Sequence, residues 1–506
     1  MLTKSQPDEI QDYLSDASFV SGGNASRVVF PESADEVASI LRDATNTKTP
    51  VTISGAGTGT VAGRVPFGGM VIASDKLNHI GEVVRVDGGG GRIPAEAGVR
   101  LIDLQRAVES QGLIYPPDPT ERTCFIGGNV ATNASGSRTF KYGPTRTYVE
   151  SLTIALANGD VINLKRGQIH ANGRRITIPL SSGRAIEAEL PSYQMPHVRK
   201  HASGYFVAPG MDVIDLFIGS EGTLGVIVEA ELKLLPKPAG LLSGVIFFGK
   251  EEDLLAFVHN ARERSLANRG SSPTVREGNS SQLDARALEY FDEQSLGFLR
   301  QRYDTVPERA VGAIFFEQET TSETEDELMT AWLSLIEQDH ALSDKSWFAT
   351  NEQDQAKLRE FRHALPVLMN EWFAKYKQRK VSTDMSVPDD SFSEMLKFYQ
   401  ASLADGDLRY TIFGHIGDNH VHVNILPRDD DEAEKAWGIY RRFIAKAVEL
   451  GGTISAEHGI GKLKREYLRE LYGDQHLREM AALKRAFDPA GILGRGNMFD
   501  EALLNL

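Results

Sequence analysis

Two glycine-flanked histidine motifs constrain this chain more than any other feature. Residues 414–424 read GHIGDNHVHVN, and residues 455–462 read SAEHGIGK. A tight Gly-Asp turn inside the first motif lets the chain fold back, so that His415 and His422 can face one point. The second motif must then fold onto the first if its own polar side chains are to share that point.

The side chains of these motifs suit a metal centre. Two imidazoles and one carboxylate with open coordination positions form a ligand set for a catalytic divalent metal. We therefore predict His415, His422 and Glu457 as ligands, with zinc favoured over manganese or iron. His458 is then free to act as a base. Four of the 12 histidines lie in these motifs, and this density favours a metal or catalytic role over ordinary hydrogen-bonded histidines.

Three glycine-rich segments in the N-terminal half predict a cofactor cavity. Residues 51–63, VTISGAGTGTVAG, leave backbone N–H groups uncovered that can cradle a pyrophosphate. The loop lacks the Gly-Lys-Ser/Thr of a P-loop and the spacing of a Rossmann fingerprint. Residues 116–136, PPDPTERTCFIGGNVATNASG, form a polar, glycine-lined wall suited to a large planar cofactor, and residues 219–227, GSEGTLGVI, repeat the theme.

Taken together, these strings resemble one flavoprotein family across nearly the whole chain, from residue 27 to residue 499. It is the branch of FAD-linked D-2-hydroxy-acid dehydrogenases in the vanillyl-alcohol-oxidase and para-cresol-methylhydroxylase superfamily. The branch includes D-lactate dehydrogenase, the glycolate oxidase flavoprotein subunit and D-2-hydroxyglutarate dehydrogenase. The resemblance implies oxidation of a small D-2-hydroxy acid to the 2-oxo acid. Electrons would pass from FAD to a separate acceptor: a quinone, a cytochrome, an electron-transfer flavoprotein or an iron–sulfur subunit.

The resemblance also assigns roles to residues. It implies that His458 takes the hydroxyl proton, that Asn424 faces the same pocket, and that Arg362 and Lys380 bind the substrate carboxylate. Arg359, one helical turn before Arg362, is a rival for that last role. The FAD-binding residues that it implies are Ser54, Gly55, Ala56, Gly57, Thr58, Gly59, Pro117, Thr120, Thr123, Gly127, Gly128, Asn129, Thr132, Asn133, Glu221, Gly222, Ile227 and Asn497.

The chain departs from the family pattern at three places. Asn419 and His420 stand where the usual motif has Gly-Asn. His420 either adds a ligand or hydrogen-bonds one, and we favour the supporting role. Residues 494–497 read GRGN where Asn-Pro-Gly-Lys is usual, which removes the usual lysine near the flavin. The first glycine loop contains no histidine, so that non-covalent FAD is expected.

The fold class that we predict is α+β. It comprises a two-part FAD-binding domain of the para-cresol-methylhydroxylase type, a ferredoxin-like antiparallel substrate domain, and a C-terminal helical segment that returns to the FAD-binding domain. Alternation of β-branched residues predicts strands over 149–165 and 213–235, with an insertion over 163–205. The predicted divisions are an N-terminal extension (1–26), the FAD-binding domain (27–238), the substrate or cap domain (239–430) and the C-terminal segment (431–506).

Composition narrows the setting of this protein. The formal net charge of −15 argues against a nucleic-acid binder, which would present a basic face. Cys124 is the only cysteine, so the chain forms no internal disulfide and holds no iron–sulfur cluster, and we expect Cys124 to serve packing. We predict a cytoplasmic protein, and the resemblance leaves peripheral membrane contact and a homodimer open.

Three other functions compete with this interpretation. One is a redox-neutral transferase of the alkyl-glycerone-phosphate synthase type, which carries a run of histidines where this chain has Glu457 and His458. Another is a flavin subunit of a glycolate oxidase complex, catalytic or not. The third is an oxidase that reduces oxygen directly, which the sequence does not distinguish from a dehydrogenase.

Overall fold

The structure is a computed structural model that describes residues 1–269 and 282–504. Within these ranges the strands form four sheets. The first sheet has the order β1-β2-β4-β3, in which β2, β4 and β3 run parallel and β1 pairs antiparallel with β2. Its elements are β1 (Leu2–Lys4), α1 (Pro7–Ile10), β2 (Arg27–Phe30), α2 (Ala34–Thr47), β3 (Val51–Ser54) and β4 (Met70–Ala73).

Local sequence explains why α2 forms where it was expected. Ser33 caps the helix by accepting a hydrogen bond from the Glu36 amide. The apolar positions Val37, Ile40 and Leu41 fall on one face and are buried against the sheet. Within the predicted N-terminal extension, residues Leu2–Lys4 form β1 at the edge of the same sheet.

The second large sheet is antiparallel and has the order β5-β6-β12-β8-β9, with β7 also paired to β12 and a separate β10-β11 hairpin. Its elements are β5 (Val84–Arg85), β6 (Gly91–Glu96), α3 (Leu101–Glu109), β7 (Leu113–Ile114), α4 (Ile126–Thr132), α5 (Thr139–Tyr142), β8 (Val149–Ala155), β9 (Val161–Lys165), β10 (Arg175–Pro179), β11 (Ala185–Glu189), α6 (Ile214–Phe217) and β12 (Val226–Pro236).

One strand prediction was wrong in this region. The strand expected from residue 213 begins only at Val226, because Ile214–Phe217 forms the short helix α6. A short apolar run packs equally well as a buried helical turn or a buried strand, so periodicity does not separate the two.

The third part is built on a seven-stranded antiparallel sheet of order β16-β13-β15-β14-β18-β19-β17. The first four strands in that order have βαββαβ connectivity, as in ferredoxin-like folds, and three more strands extend the sheet beyond β14. Its elements are β13 (Gly240–Phe248), α7 (Glu251–Arg269), β14 (Ala285–Asp292), α8 (Glu293–Leu299), β15 (Gly312–Thr320), α9 (Glu325–Gln338), β16 (Trp347–Ala349), α10 (Glu352–Tyr376), β17 (Val381–Ser382), α11 (Phe392–Gly406), β18 (Tyr410–Gly414) and β19 (His422–Ile425).

The C-terminal segment returns to the first sheet. It contains α12 (Asp430–Glu449) and α13 (Arg465–Phe487), the latter kinked at Gly473. Lys484 donates to the Thr223 carbonyl at 2.9 Å, and Leu493 forms a parallel bridge with Val51 at the edge of β3. None of the helices in the described part of the chain combines the length and apolar character that a membrane crossing requires.

A buried lysine with two carboxylate partners connects helix α5 to the seven-stranded sheet. Lys141, on α5, lies 2.8 Å from Glu319 and 2.9 Å from Asp284, and its side chain is only 4% exposed. A buried ammonium with two carboxylate partners fixes the relative placement of the two sheets.

We expect Lys141→Met to destabilise the protein by roughly 2 kcal/mol, less than the ~3–5 kcal/mol of fully buried pairs because both carboxylates keep some exposure. Thermal unfolding measures this change. Lys345→Met removes an exposed pair with Asp344 and serves as the control. Equal melting temperatures for the two variants would show that the Lys141 pair is not stabilising.

Candidate active site

A deep cavity lies between the glycine loop after β3, the helix α4 and the start of β12. Its empty space is about 1020 Å³, open solvent at the mouth included. The predicted residues that line it are Gly55, Ala56, Gly57, Thr58, Gly59, Gly127, Gly128, Asn129, Thr132, Glu221, Gly222, Ile227, His458 and Asn497. A Cβ added at Gly59 or Gly128 would meet no protein atom within 4 Å, so these glycines leave room for a ligand.

Five residues predicted for cofactor binding do not line this cavity. Asn133 turns both polar atoms to the protein: it donates to the His201 carbonyl and accepts from the Arg146 amide. The Thr123 hydroxyl bonds Glu121, and the buried Ser54 hydroxyl lies beneath the loop. The five are Ser54, Pro117, Thr120, Thr123 and Asn133.

The N-terminal segment supplies a wall that the sequence did not reveal. Asp16 and Arg64 line the cavity. The Arg64 guanidinium donates to the Ser15 carbonyl at 2.9 Å and to the Gly55 carbonyl at 2.8 Å, and the Ala17 amide donates to the Gly57 carbonyl. Residues 12–18 are thereby held over the glycine loop.

Glu221 attaches the second histidine motif to the cavity. Its carboxylate accepts hydrogen bonds from the amides of Ile460 and Gly461, both at 2.7 Å. Burial raises the pKa of Glu221 to about 7, although these two amides oppose that shift. Asn497 donates to the Glu221 carbonyl and accepts from Lys462. The loop after Glu457 is therefore tied to the cofactor cavity by a buried hydrogen-bond network.

The predicted metal ligands meet at one point. The Nε2 atoms of His415 and His422 lie 3.5 and 3.3 Å from Glu457 Oε1. His415 directly follows β18, residues Ile416–Asp418 form a single 3₁₀ turn, and His422 begins β19, so the glycine-containing turn returns the chain as expected. Donor atoms of these three residues and of His420 all lie within 4.8 Å of one another.

His458 lies between the two halves of the site. It lines the cofactor cavity, and its Nε2 atom lies 4.0 Å from Glu457 Oε1. Its Nδ1 atom lies 3.4 Å from Asp384 Oδ2. Burial lowers the pKa of His458 to about 4 against the opposing effect of Asp384, which leaves the imidazole neutral at neutral pH.

Asp384, a fully buried residue between β17 and α11, organises the second motif. It accepts hydrogen bonds from Ser455 Oγ at 2.6 Å, from Lys464 Nζ at 2.7 Å and from the amides of Glu457 and His458. Burial alone would raise its pKa, but His458 and Lys464 hold the pKa well below the usual range. The charge of Asp384 thus fixes the backbone that carries two site residues.

The structure gives Arg362 a partner that the sequence did not reveal. Its guanidinium donates two hydrogen bonds to Glu289 Oε2, at 3.0 and 2.9 Å. Glu289 in turn lies 2.6 Å from His415 Nδ1. A carboxylate at Nδ1 leaves Nε2 of His415 available for a metal. Arg362 is therefore engaged with a buried carboxylate of β14 in this structure, and its role toward the substrate stays a prediction.

Three other residues predicted for the substrate site differ in burial and in the contacts of their side chains. Within the described residues, the side chains of Lys380 and Arg359 form no hydrogen bond and no ion pair, although burial lowers the pKa of the Arg359 guanidinium and the charge of Glu317 opposes that shift. Asn424 is buried on β19, and its Oδ1 atom has no hydrogen-bond partner within the described residues.

Cys124 packs beside the cavity, and burial raises the pKa of its thiol to about 12, in keeping with an inert packing residue.

Lys200 is a site residue that sequence reasoning missed. Its fully buried ammonium lies 3.2 Å from Glu457 Oε2 and 3.6 Å from Asp418, and it donates to the Gly136 carbonyl at 2.9 Å. Ser135 also donates to Glu457 Oε2. These contacts hold one oxygen of Glu457 and leave Oε1 facing the histidines. A lysine in the Lys-His-Ala-Ser-Gly-Tyr string of the insertion was the available signal.

Comparisons with known proteins show which family the sequence matches. Residues 25–165 match the family described as FAD binding domain, and residues 270–498 match FAD linked oxidases, C-terminal domain. The chain is 31% identical to the glycolate oxidase subunit GlcD of Bacillus subtilis, over 93% of this chain and 88% of that protein. It is 31% identical to a D-lactate dehydrogenase of Anaerostipes hadrus, over 97% and 93%.

Another relative is a D-2-hydroxyglutarate dehydrogenase of Stutzerimonas stutzeri, 28% identical over 94% of this chain and 91% of that protein. A solved structure described as alkyldihydroxyacetonephosphate synthase superposes with a TM-score of 0.65 at 14% identity, covering 97% of this chain and 81% of that chain. At that identity the likeness shows the shared fold.

The chain is thus an FAD-linked oxidoreductase, with an FAD-binding domain followed by the C-terminal domain of the FAD-linked oxidases. Within that family it belongs with the relatives named glycolate oxidase subunit, D-lactate dehydrogenase and D-2-hydroxyglutarate dehydrogenase, as the sequence motifs indicated.

The glycine wall provides a direct test of the cofactor cavity. Gly128→Val places a branched side chain in the cavity without meeting protein atoms. We expect the variant to fold but to bind FAD roughly tenfold to a hundredfold more weakly, from an overpacking cost of ~1–3 kcal/mol. Absorbance of protein-bound flavin measures this loss.

Gly438→Val is the matched control, since Gly438 lies on helix α12 and its added Cβ also meets nothing within 4 Å. If the Gly128 variant retains FAD as tightly as this control, the cofactor does not occupy the cavity.

Proposed function

We propose that this protein oxidises a D-2-hydroxy acid to the 2-oxo acid, with non-covalent FAD as oxidant and a divalent metal as aid. The observation that carries the proposal is the position of His458, which lines the cofactor cavity and also lies 4.0 Å from Glu457 of the histidine cluster. One side chain therefore reaches both the place of the oxidant and the place of a metal-bound hydroxyl. The names of the relatives support the same substrate class.

The residues present fit a metal. His415, His422 and Glu457 offer two imidazole nitrogens and one carboxylate oxygen in a buried pocket, and Glu289 and Lys200 hold two of them from behind. A bound divalent metal would lower the pKa of the substrate hydroxyl and orient the substrate. Zinc, manganese and iron all accept such donors.

The protein groups then divide the remaining work. Asp384 holds the His458 ring through Nδ1, so that Nε2 faces the cluster and can take the hydroxyl proton. Bound FAD would accept the hydride from the substrate carbon. Because glycines add no side chains, the glycine-rich walls would leave the flavin close to the substrate.

The substrate carboxylate requires a free cation. Because Arg362 is paired with Glu289, Lys380 and Arg359 are the better candidates, since neither side chain forms a hydrogen bond or an ion pair within the described residues. We assign this binding role to Lys380 first, because it adjoins β17, the neighbour of the strand that carries His422 and Asn424. The seven-stranded sheet and its helices thus serve as the substrate domain.

Two alternatives make different predictions. A transferase of the alkyl-glycerone-phosphate synthase type has the same fold, but it needs no hydroxy-acid oxidation. A subunit of a glycolate oxidase complex matches the name of one relative and would differ in its electron acceptor and partner chains. We propose a separate acceptor, a cytoplasmic location with peripheral membrane contact, and no nucleic-acid partner.

Flavin reduction under anaerobic conditions tests the reaction. We expect one or more D-2-hydroxy acids, drawn from lactate, glycolate, 2-hydroxyglutarate and bulkier acids, to bleach the flavin band near ~450 nm. Prior treatment with a chelator should slow bleaching, and added metal should restore it. Full bleaching after verified metal removal would refute the metal's role, and no bleaching by any hydroxy acid would refute the oxidation itself.

Removal of the base gives an independent check. We expect His458→Asn to bind FAD but to slow flavin reduction by ~10²–10⁴-fold, the usual contribution of a general base. Stopped-flow absorbance measures the rate at saturating substrate. His79→Asn alters an exposed histidine far from the cluster and should reduce flavin at the wild-type rate. A wild-type rate in the His458 variant would remove this residue from the mechanism.

A further inference from the structure

His420 differs from the other site histidines because its hydrogen-bonding capacity is not satisfied within the described residues. Its side chain is fully buried, yet neither ring nitrogen has a hydrogen-bond partner of good geometry within the described residues. Buried polar groups without partners are uncommon in folded proteins, since each loses its hydration without replacement. Such a group points to a ligand.

The surroundings of His420 indicate what that ligand is. One of its ring nitrogens lies within 4.8 Å of the donor atoms of His415, His422 and Glu457. Its ring centroid is 4.5 Å from that of His422 and 5.4 Å from that of His415. Four donors of this type around one small space are a cation-binding arrangement.

Asp384 provides the outer support that a ligating histidine usually has. Asp384 Oδ1 lies 3.3 Å from His420 Nε2. The other contacts of Asp384, to Ser455, Lys464 and two amides, satisfy it without His420. A neutral imidazole that turns one nitrogen to a carboxylate keeps a lone pair on the other, as in carboxylate–histidine–metal arrangements.

We propose that His420 is a fourth protein ligand, and that the resulting set of three imidazoles and one carboxylate selects a six-coordinate metal such as Mn²⁺ or Fe²⁺ over zinc. This inference rests on the proposed function. Four protein ligands would complete a tetrahedral zinc site and leave no position for substrate. In a six-coordinate ion they leave two, the number that the hydroxyl and one carboxylate oxygen of a 2-hydroxy acid occupy.

The number of bound imidazoles tests the proposal. Metal-free holoprotein with its FAD is loaded with Mn²⁺, and pulsed electron paramagnetic resonance counts the coordinated imidazole nitrogens. We expect three in the wild type and two in His420→Asn. We also expect the Mn²⁺ affinity of His420→Asn to fall by at least ~10–100-fold, the range for loss of even a supporting contact, while zinc affinity falls less.

The control is His340→Asn, an exposed histidine at φ 54°, a conformation that asparagine tolerates. It should keep three imidazoles and the wild-type Mn²⁺ affinity. Bound flavin and the melting temperature verify folding, and His420→Gln replaces His420→Asn if the latter does not fold. The wild-type count decides the question even if both variants fail, because a count of two refutes the proposal.

Failure of this inference is distinguishable from failure of the proposed function. A wild type with two imidazoles that still reduces its flavin with a D-2-hydroxy acid would overturn only the ligand role of His420. Three imidazoles in a protein that no hydroxy acid reduces would uphold the ligand set and overturn the reaction. A protein that reduces its flavin with a D-2-hydroxy acid as fast when loaded with Zn²⁺ as when loaded with Mn²⁺ would refute the selection of a six-coordinate metal.

Discussion

The site depends on a single carboxylate, Glu457, which three parts of the chain approach. One oxygen faces the histidines on the seven-stranded sheet, and the other is held by Lys200 and Ser135 from the FAD-binding part. Without this shared partner, the buried ammonium of Lys200 would keep only Asp418, at 3.6 Å, as a neighbouring carboxylate. The contact therefore couples the two sheets electrostatically and sets the distance between flavin cavity and histidine cluster.

Buried charge is stabilised in pairs throughout this region. Glu289 with Arg362, and Asp384 with Lys464, each place a carboxylate beside a cation and attach that pair to a histidine or to its backbone. Such groups cost desolvation energy, which the charge-assisted hydrogen bonds offset. The result is a rigid frame around side chains whose own task requires fixed orientation.

The sequence predicted the local parts of this arrangement well. The histidine pair, the Glu457–His458 pair and the glycine walls lie within short strings, whose geometry follows from turns and strand alternation. What the sequence did not reveal depends on long-range pairing. Arg362 looked like a free cation because Glu289 lies about seventy residues earlier, in an apolar strand with no motif.

Other omissions have the same cause. Lys200 lies in the predicted insertion and Asp384 carried no predicted role, yet the fold places them against Glu457 and its amide. Thr123 and Asn133 carry polar groups in a cofactor motif, yet neighbouring protein atoms consume those groups. Composition of a motif predicts which groups are present, and only the packing determines which of them face outward.

The candidate cofactor cavity is lined by Asp16 and Asn497, residues from opposite ends of the chain. A cavity whose walls are so far apart in sequence is slow to form, because the intervening chain must be ordered first. Capture of the yellow cofactor should thus coincide with the final stage of folding. Colour in this protein would report that the polypeptide has reached its native topology, and early folding intermediates would be colourless.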